Sequence, residues 1–224
     1  MLDGGKTAET TDLKKSIDAV LANGKRLIAE ARDYLSYETP PATAYFLVQI
    51  AQEEFAKAFL LEMVRRGVIP WSNYILRATR DHICKQLVCL VMEYLSPDDE
   101  RFFNWKPGVV EEVPQSVYDA IQVLRYERIG GWEPGGCCLV EPINYEKEPL
   151  AVLKGNQDRF KQRTLYVSID RNGKVSSQPG TGISAESLEA EIEKAKRLEF
   201  IVDTTHDHRI VEAFRLLFER LKDK

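Results

Sequence analysis

The sequence contains few of the residues that build metal sites and disulfide frameworks. Only 4 cysteines and 3 histidines occur among its 224 residues. No C-x-x-C pair, the spacing typical of zinc ligands and redox dithiols, is formed by Cys84, Cys89, Cys137 or Cys138. The sequence therefore predicts no metal, no cofactor and no disulfide, and free thiols of this kind are usual in a reducing cytoplasm.

Excess basic charge and long apolar runs are also missing. A net charge of -4 excludes a protein that coats itself in nucleic acid through bulk charge. The most apolar run, residues 42–50, is followed by Gln52, Glu53 and Glu54 and is too short to span a membrane. Residues 1–15 are polar and charged, unlike a signal peptide. We therefore expect a cytoplasmic protein that makes no membrane contact.

Any contact with nucleic acid would have to use a local basic patch. Two groups of basic residues could supply one, although a solvated surface face is the simpler interpretation of either group alone. The first group is Arg65, Arg66, Arg77, Arg80 and Lys85, and the second is Lys154, Arg159, Lys161 and Arg163.

Apolar residues recur at helical spacing towards both ends of the chain. A single apolar seam predicts a first helix over about residues 12–37. The next helix, about residues 41–66, is apolar nearly all round, which indicates burial on several sides. One stripe predicts a third helix over about residues 73–95. A last helical stretch covers residues 184–222, where Thr204 can kink or split the helix.

The middle of the chain has a different composition. Residues 97–183 are rich in Trp, Pro and Gly, which predicts irregular structure. Short helices are expected at about residues 114–128 and 149–163. Alternating apolar and polar side chains flank an Asn-Gly pair, which predicts a β-hairpin near residues 164–177.

A helical bundle is an economical way to bury these apolar stripes. We therefore expect one mainly α-helical domain over residues 1–224. Its bundle would comprise residues 12–95 and 184–222, and residues 97–183 would form an insertion that contains the hairpin. The long seam of the first helix and the broad apolar surface of the second favour a homodimer.

Three charged residues lie inside the most apolar helix. Glu53 and Lys57 are four residues apart, so they share a helix face and can pair, and Glu54 lies beside them. Charges in an apolar helix are costly unless they have partners. The cluster therefore indicates either a functional site or a structural ion pair.

A second candidate group is Arg77 and His82, five residues apart near the start of the third helix. Five helical steps rotate the chain by about 140°, so the two side chains would flank a cleft edge. Imidazole can act as an acid or a base near neutral pH, and guanidinium binds phosphate through two parallel contacts. His82, Lys85, Gln86 and Cys89 fall along one face beside the apolar stripe. A surface arginine and a core-edge histidine are the plainer interpretation.

Residues 41–67, PATAYFLVQIAQEEFAKAFLLEMVRRG, and the following segment RATRDHICKQL together resemble the AbiV (abortive infection V) family. The shared pattern is an apolar helix with Glu-Glu-x-x-Lys, then a helix with His-x-x-Lys. A second resemblance lies at residues 165–195, LYVSIDRNGKVSSQPGTGISAESLEAEIEKA. The likeness covers most of the chain, and residues 97–150 match poorly. The pattern residues here are Glu53, Glu54, Lys57, His82 and Lys85.

AbiV-like proteins are grouped with the HEPN superfamily, so the resemblance implies a HEPN-like helical bundle, frequent homodimers and a role in abortive defence against phage. Many HEPN proteins are metal-independent ribonucleases with an Arg-x4-6-His motif, which Arg77 and His82 match. The superfamily often has a polar residue directly after the arginine, and this chain has Ala78. Some HEPN domains are non-catalytic binding modules.

Two hypotheses follow. In the first, the chain is a defence endoribonuclease with RNA as its substrate. His82 moves protons, Arg77 stabilises the developing phosphorane charge and Lys85 supports the phosphate. Glu53, Glu54, Lys57 and Asp81 are the supporting residues. In the second, the chain is a non-catalytic module that binds a phage protein, a nucleotide or a partner chain. A phage-encoded protein would be the trigger in a defence role, and a homodimer would place Arg77 and His82 near its interface.

Overall fold

The computed structural model confirms a mainly α-helical fold with one small two-stranded sheet. The helices pack around a continuous apolar core, and the sheet is a hairpin in the middle part of the chain. The residues that the structure describes are 10–37, 41–95, 113–124, 147–180, 183–205 and 208–220.

The first two helices form the centre of the bundle. Helix α1 spans Thr10–Arg32 and continues as a 3-10 turn, and α2 spans Ala42–Arg65. A Cβ atom on Gly24 would lie 2.6 Å from the ring of the fully buried Phe55. The glycine therefore lets the two helices approach closely. Since α2 contacts helices on several sides, its apolar surface is covered much as its sequence predicts.

The prediction of one continuous third helix was wrong. Helix α3 spans Asn73–Ala78, and α4 spans His82–Tyr94. The side chain of Asp81 accepts a hydrogen bond from the backbone N–H of Cys84 at 3.1 Å, which caps a new helix start. A capping residue takes up extended backbone, so the helix breaks immediately before His82.

The described part of the middle region contains three short helices. They are α5 (Gln115–Gln122), α6 (Lys147–Leu153) and α7 (Asn156–Arg163). One helix was predicted over residues 149–163, but Gly155 has a positive φ of 68° and separates α6 from α7. The segment folds back at this glycine, and α7 reaches α2.

The predicted hairpin is present. Strand β1 (Ser168–Ile169) pairs antiparallel with β2 (Val175–Ser177), with an irregularity in the register. Gly173 has a φ of 77°, a conformation that glycine adopts without strain. Asn172 does not have a positive φ, so the Asn-Gly pair does not form the two-residue turn that is typical of it. The chain instead turns through a longer loop, in which the Gly173 N–H donates to the Asp170 carbonyl oxygen at 3.1 Å.

The C-terminal stretch is divided into two helices, α8 (Ala185–Asp203) and α9 (His208–Arg220). Helix α8 begins with a capping box at Ser184 and Ser187 and packs against α2, while α9 contacts α5. The break follows Thr204, where a kink or split is expected from the sequence.

In the described part of the chain, no helix combines the length and the apolar character that crossing a bilayer requires. Three predictions fall wholly or partly outside the described residues: much of the irregular region at residues 97–183, the end of the helix at residues 114–128, and the free thiols of Cys137 and Cys138.

Candidate active site

The most unusual polar group in the structure is the carboxylate of Glu53, which is 2% exposed in the middle of α2. Its Oε2 lies 2.5 Å from His82 Nδ1 and 2.9 Å from Lys85 Nζ. Its Oε1 accepts from Lys161 Nζ at 2.8 Å and from Gln86 Nε2 at 3.4 Å. One buried carboxylate therefore joins groups from α2, α4 and α7, and we call these five residues the Glu53 cluster.

The contact with Glu53 orients the imidazole of His82. An ionised carboxylate only accepts hydrogen bonds, so the contact with Glu53 assigns the proton of a neutral His82 to Nδ1 and leaves Nε2 without one. In this tautomer the 3.1 Å approach of the Lys161 ammonium to Nδ1 is not a hydrogen bond. The His82 side chain is 48% exposed, although Glu53 beneath it is buried. The Glu53 carboxylate orients the His82 imidazole, as a third group orients the general base in many nucleophilic active sites. It gives His82 one fixed nitrogen and one nitrogen available for chemistry.

The charge of Glu53 is maintained by its two lysine neighbours. Burial alone would raise the pKa of this carboxyl group, but the ammonium groups of Lys85 and Lys161 outweigh burial and lower the pKa below the ordinary value. Both lysine side chains are themselves buried. The Glu53 carboxylate is therefore ionised at neutral pH, and it can accept a hydrogen bond from the His82 imidazole.

Helix α4 presents its part of the cluster through its register. Residues separated by three or four positions lie on one helix face, so His82, Lys85 and Gln86 all reach towards α2. Cys89 continues the same face, and its Sγ lies 3.6 Å from the backbone oxygen of Gln52. The face that the sequence indicates is therefore the face that contacts Glu53.

Lys161 is the member of the cluster that the sequence analysis did not assign to the site. Its Nζ lies 3.1 Å from His82 Nδ1 as well as 2.8 Å from Glu53. The sequence shows Lys161 only as one of several basic residues in a predicted short helix. Nothing in the spacing of that helix identifies the buried member, since the contact joins residues 108 positions apart.

Glu54 and Lys57 do not join the cluster. Lys57 pairs with Glu54, which also accepts a hydrogen bond from Asn23 of α1 at 3.3 Å. The expected pairing of Glu53 with Lys57 was wrong, because α4 and α7 supply closer cations on the buried side of α2. The Glu54–Lys57 pair instead lies towards α1.

Arg77 and Lys85 have positions that change their expected roles. Arg77 is exposed in the last turn of α3, and no hydrogen bond or ion pair of its guanidinium occurs among the described residues. It lies on a separate helix from His82, so the expected geometry of five steps along one helix does not apply. Lys85 is directed into the protein towards Glu53 and is 7% exposed, so its ammonium group is not presented to solvent as a phosphate contact would be.

The Cys89 thiol, which lies near the cluster, is a poor nucleophile. Burial raises the pKa of Cys89 to about 12, so this thiol stays protonated at neutral pH. Among the described residues, no group of three or more His, Cys, Asp or Glu side chains is arranged to hold a metal ion. The side chain that the cluster exposes to solvent is the imidazole of His82, which is 48% exposed.

The comparisons with known proteins agree with the resemblance in the sequence. The family model described as AbiV, of the HEPN class, matches residues 12–199. Neither the comparison with curated proteins nor the comparison with solved structures gave a match. The family match spans the helices that carry every member of the Glu53 cluster. The chain belongs to the HEPN AbiV family.

Proposed function

We propose that this protein is a metal-independent endoribonuclease of abortive infection, and that His82 is its proton-transfer group. Membership of the HEPN AbiV family supports an abortive-infection role of the HEPN type. The observation that carries the proposal is the His82–Glu53 contact of 2.5 Å. A solvent-facing imidazole on a buried carboxylate is suited to acid–base chemistry.

In the proposed reaction the 2′-hydroxyl of RNA attacks the adjacent phosphorus. Nε2 of His82 takes the hydroxyl proton as the new P–O2′ bond forms, and the P–O5′ bond breaks. The 5′ oxygen leaves with a proton, which gives a 2′,3′-cyclic phosphate and a 5′-hydroxyl. The resulting imidazolium is stabilised by Glu53, whose Oε2 accepts from Nδ1.

Arg77 is the proposed contact for the phosphate. Its side chain is exposed, and it lies five residues before His82. The backbone N–H groups of Arg80 and Asp81 both donate to its carbonyl oxygen, which joins the end of α3 closely to the start of α4. A guanidinium can bind two phosphate oxygens at once. In a homodimer, Arg77 and His82 from two copies would line one cleft, and a second His82 would protonate the leaving oxygen.

The proposal is tested by incubating the purified protein with RNA and with DNA of the same sequence in EDTA. We expect cleavage of RNA alone, with 2′,3′-cyclic phosphate ends. His82→Ala should lower the rate on the order of 10²-fold or more, the usual size of a proton-transfer contribution. His208→Ala is the matched control, since His208 is exposed on α9. A requirement for added metal, or full activity in His82→Ala, would overturn the proposal.

The alternative is a non-catalytic module that binds a phage protein, a nucleotide or a partner chain in the cytoplasm. The observation that favours it is Ala78, which is 1% exposed and supplies no polar group after Arg77. Protection of cells against phage by His82→Ala at the wild-type level, with no RNA cleavage by either protein, would favour this module.

A further inference from the structure

The exposed apolar side chains of this protein are concentrated in one short segment. Among the described residues, eight large apolar side chains are exposed, and five of them lie in residues 160–175. They are Phe160, Tyr166, Val167, Ile169 and Val175. Single exposed apolar residues are normal on a protein surface, but a contiguous group usually marks a place where another molecule binds. The hairpin and the end of α7 are therefore the candidate surface.

One face of the hairpin has no cover. Ile169 of β1 is paired with Val175 of β2, so their side chains lie on the same face, and they are 66% and 55% exposed. Val167 lies two residues before Ile169 and is 53% exposed. Side chains in a strand alternate between its faces, so Val167 shares the face of Ile169. Neither strand has extensive contact with any described helix, which leaves the hairpin projecting from the bundle.

The same segment carries cations that lack acidic partners. Residues 159–178 contain five basic residues and one acidic residue, in a chain whose net charge is -4. Elsewhere basic side chains commonly pair with acidic residues of the same helix. Within the described part of the chain, the exposed side chains of Arg163, Arg171 and Lys174 form no ion pair. The Asp170 carboxylate instead accepts hydrogen bonds from two backbone N–H groups of the turn, both at 2.8 Å. The surface is therefore both apolar and positively charged.

The combination of apolar and basic side chains limits the kind of partner. A second copy that used the same face would bring two positive surfaces together. Valine and isoleucine offer no ring on which a nucleic-acid base can stack. Addition of a partner strand is disfavoured because the two strands are short and irregular in register, which are features that protect sheet edges. An anionic bilayer suits both properties, since its headgroups attract cations and its acyl boundary accepts apolar side chains.

We propose that the hairpin is an anchor that binds the surface of anionic lipid bilayers reversibly. Val167, Ile169 and Val175 enter the boundary between headgroups and acyl chains, at a depth of about 5–10 Å. Arg171 and Lys174 lie in the turn between the strands, where they can contact the headgroup phosphates. A flat and deformable bilayer receives a projecting hairpin without a groove of matching shape.

This contact differs from a membrane span. The expectation of no membrane contact rests on the lack of a long apolar run, and no described helix could cross a bilayer. Peripheral contact needs no such run, because a few apolar side chains and local positive charge suffice. Contact at the membrane surface therefore departs from that expectation. The cytoplasmic face of membranes is anionic, so such contact is compatible with the expected cytoplasmic location.

Vesicle flotation with the full-length protein measures the binding. One set of vesicles is phosphatidylcholine alone, and the other contains about 30% phosphatidylserine as the anionic lipid. Both are used in about 0.1 M salt, where charges interact over about 10 Å. We expect the fraction of protein that floats with the anionic vesicles to exceed the fraction with neutral vesicles at least several-fold.

Two variants separate the apolar and the charged contributions. The double variant Ile169→Ser, Val175→Ser should lower binding to anionic vesicles on the order of 10-fold, because two apolar side chains no longer enter the boundary. Arg171→Glu should lower it by a similar factor, because it reverses a charge beside the anionic headgroups. All three side chains are exposed, so circular dichroism and the thermal midpoint should match those of the wild type.

Matched controls lie on α8. Phe200→Ser removes an apolar side chain that is 48% exposed, and Arg197→Glu reverses an exposed charge. Both should bind anionic vesicles as the wild type does. Equal losses in the controls and the hairpin variants would overturn the proposal, and so would equal or absent floating with the two vesicle types. Binding that needs Arg171 but persists in the double serine variant would also overturn it, since attraction between charges would then act without insertion.

The same variants test the other occupants of this surface. Light scattering might give a dimer for the wild type and a monomer for the double serine variant, without vesicle binding. That result would assign the hairpin to an interface between copies and overturn the proposal. Weaker binding of a labelled single-stranded RNA by Arg171→Glu, again without vesicle binding, would assign it to nucleic acid. Absence of RNA cleavage would remove the proposed function alone, because vesicle binding does not use His82.

Discussion

Helix α2 contains two buried glutamates whose surroundings differ. Glu62 is 5% exposed and binds Arg65 and Arg66, which lie three and four residues further along the same helix. Glu53 is 2% exposed, and its cationic partners come from α4 and α7. In both cases burial would raise the pKa and cationic neighbours lower it below the ordinary value. A lowered pKa therefore does not distinguish a site from a structural ion pair.

The two glutamates differ in how exposed their cationic partners are and in where those partners lie along the chain. The arginines beside Glu62 are 26% and 31% exposed, so they can turn to water if the carboxylate is lost. Lys85 and Lys161 are 7% and 5% exposed, so neither ammonium group can turn to water in this way. Only the Glu53 cluster also contains an exposed imidazole. The Glu62 ion pairs join neighbouring residues at the end of α2. The Glu53 cluster instead joins three helices around an exposed imidazole.

The largest expected effect is on stability. Glu53→Ala should lower the free energy of unfolding by about 3–5 kcal/mol, because it removes the carboxylate that the buried ammonium group of Lys85 contacts. Glu62→Ala should cost less than about 1 kcal/mol, since its partners reach solvent. Urea denaturation of both variants at neutral pH measures the difference. Similar losses in the two variants would mean that the comparison between the glutamates is wrong.

A smaller effect is expected at Arg77. Arg77→Lys should reduce RNA cleavage on the order of 10-fold, because an ammonium cannot make the planar two-point contact with phosphate. Its stability should be unchanged, since Arg77 is exposed. Arg80→Lys is the control, because Arg80 is also exposed and lies three residues further on. Single-turnover cleavage rates measure the effect, and equal rates for both variants would remove Arg77 from the site.

The acid dependence of stability should show the contribution of the ionised Glu53 carboxylate. Glu53 has a lowered pKa when folded, so its contribution is present above the ordinary value of 4.5 and is lost as the pH falls through the folded value. Wild-type protein should therefore lose stability below about pH 4.5 more steeply than Glu53→Gln. Denaturation midpoints between pH 6 and pH 3 test this expectation. Parallel curves would show that Glu53 contributes no net charge interaction.

The smallest effect concerns assembly. A homodimer remains a prediction that the family resemblance implies, because the seam of α1 and the apolar surface of α2 are covered within the chain. Light scattering at micromolar concentration should give twice the chain mass. His82→Ala should leave that mass unchanged, because His82 is largely exposed and would line the cleft rather than its apolar contact. A monomer at all concentrations would require one chain to supply every catalytic group.

The sequence predicted local features better than long-range ones. Gly173 in the hairpin turn and the three–four spacing of His82, Lys85 and Gln86 follow from local conformation, and both are present in the structure. The break before His82 was missed, although Asp81 is a common capping residue, because the apolar stripe continues across it. Lys161 could not have been selected, since its burial depends on how α7 folds back onto α2.

The most direct test compares RNA cleavage by wild-type protein, Glu53→Asp and Glu62→Asp in EDTA. Both variants keep a negative charge and withdraw it by about one bond, roughly 1.5 Å. We predict that Glu53→Asp remains folded but cleaves at least 10-fold more slowly, because His82 loses its oriented partner, while Glu62→Asp cleaves at the wild-type rate. Equal rates for the two folded variants would contradict the claim that the Glu53 cluster is an active site.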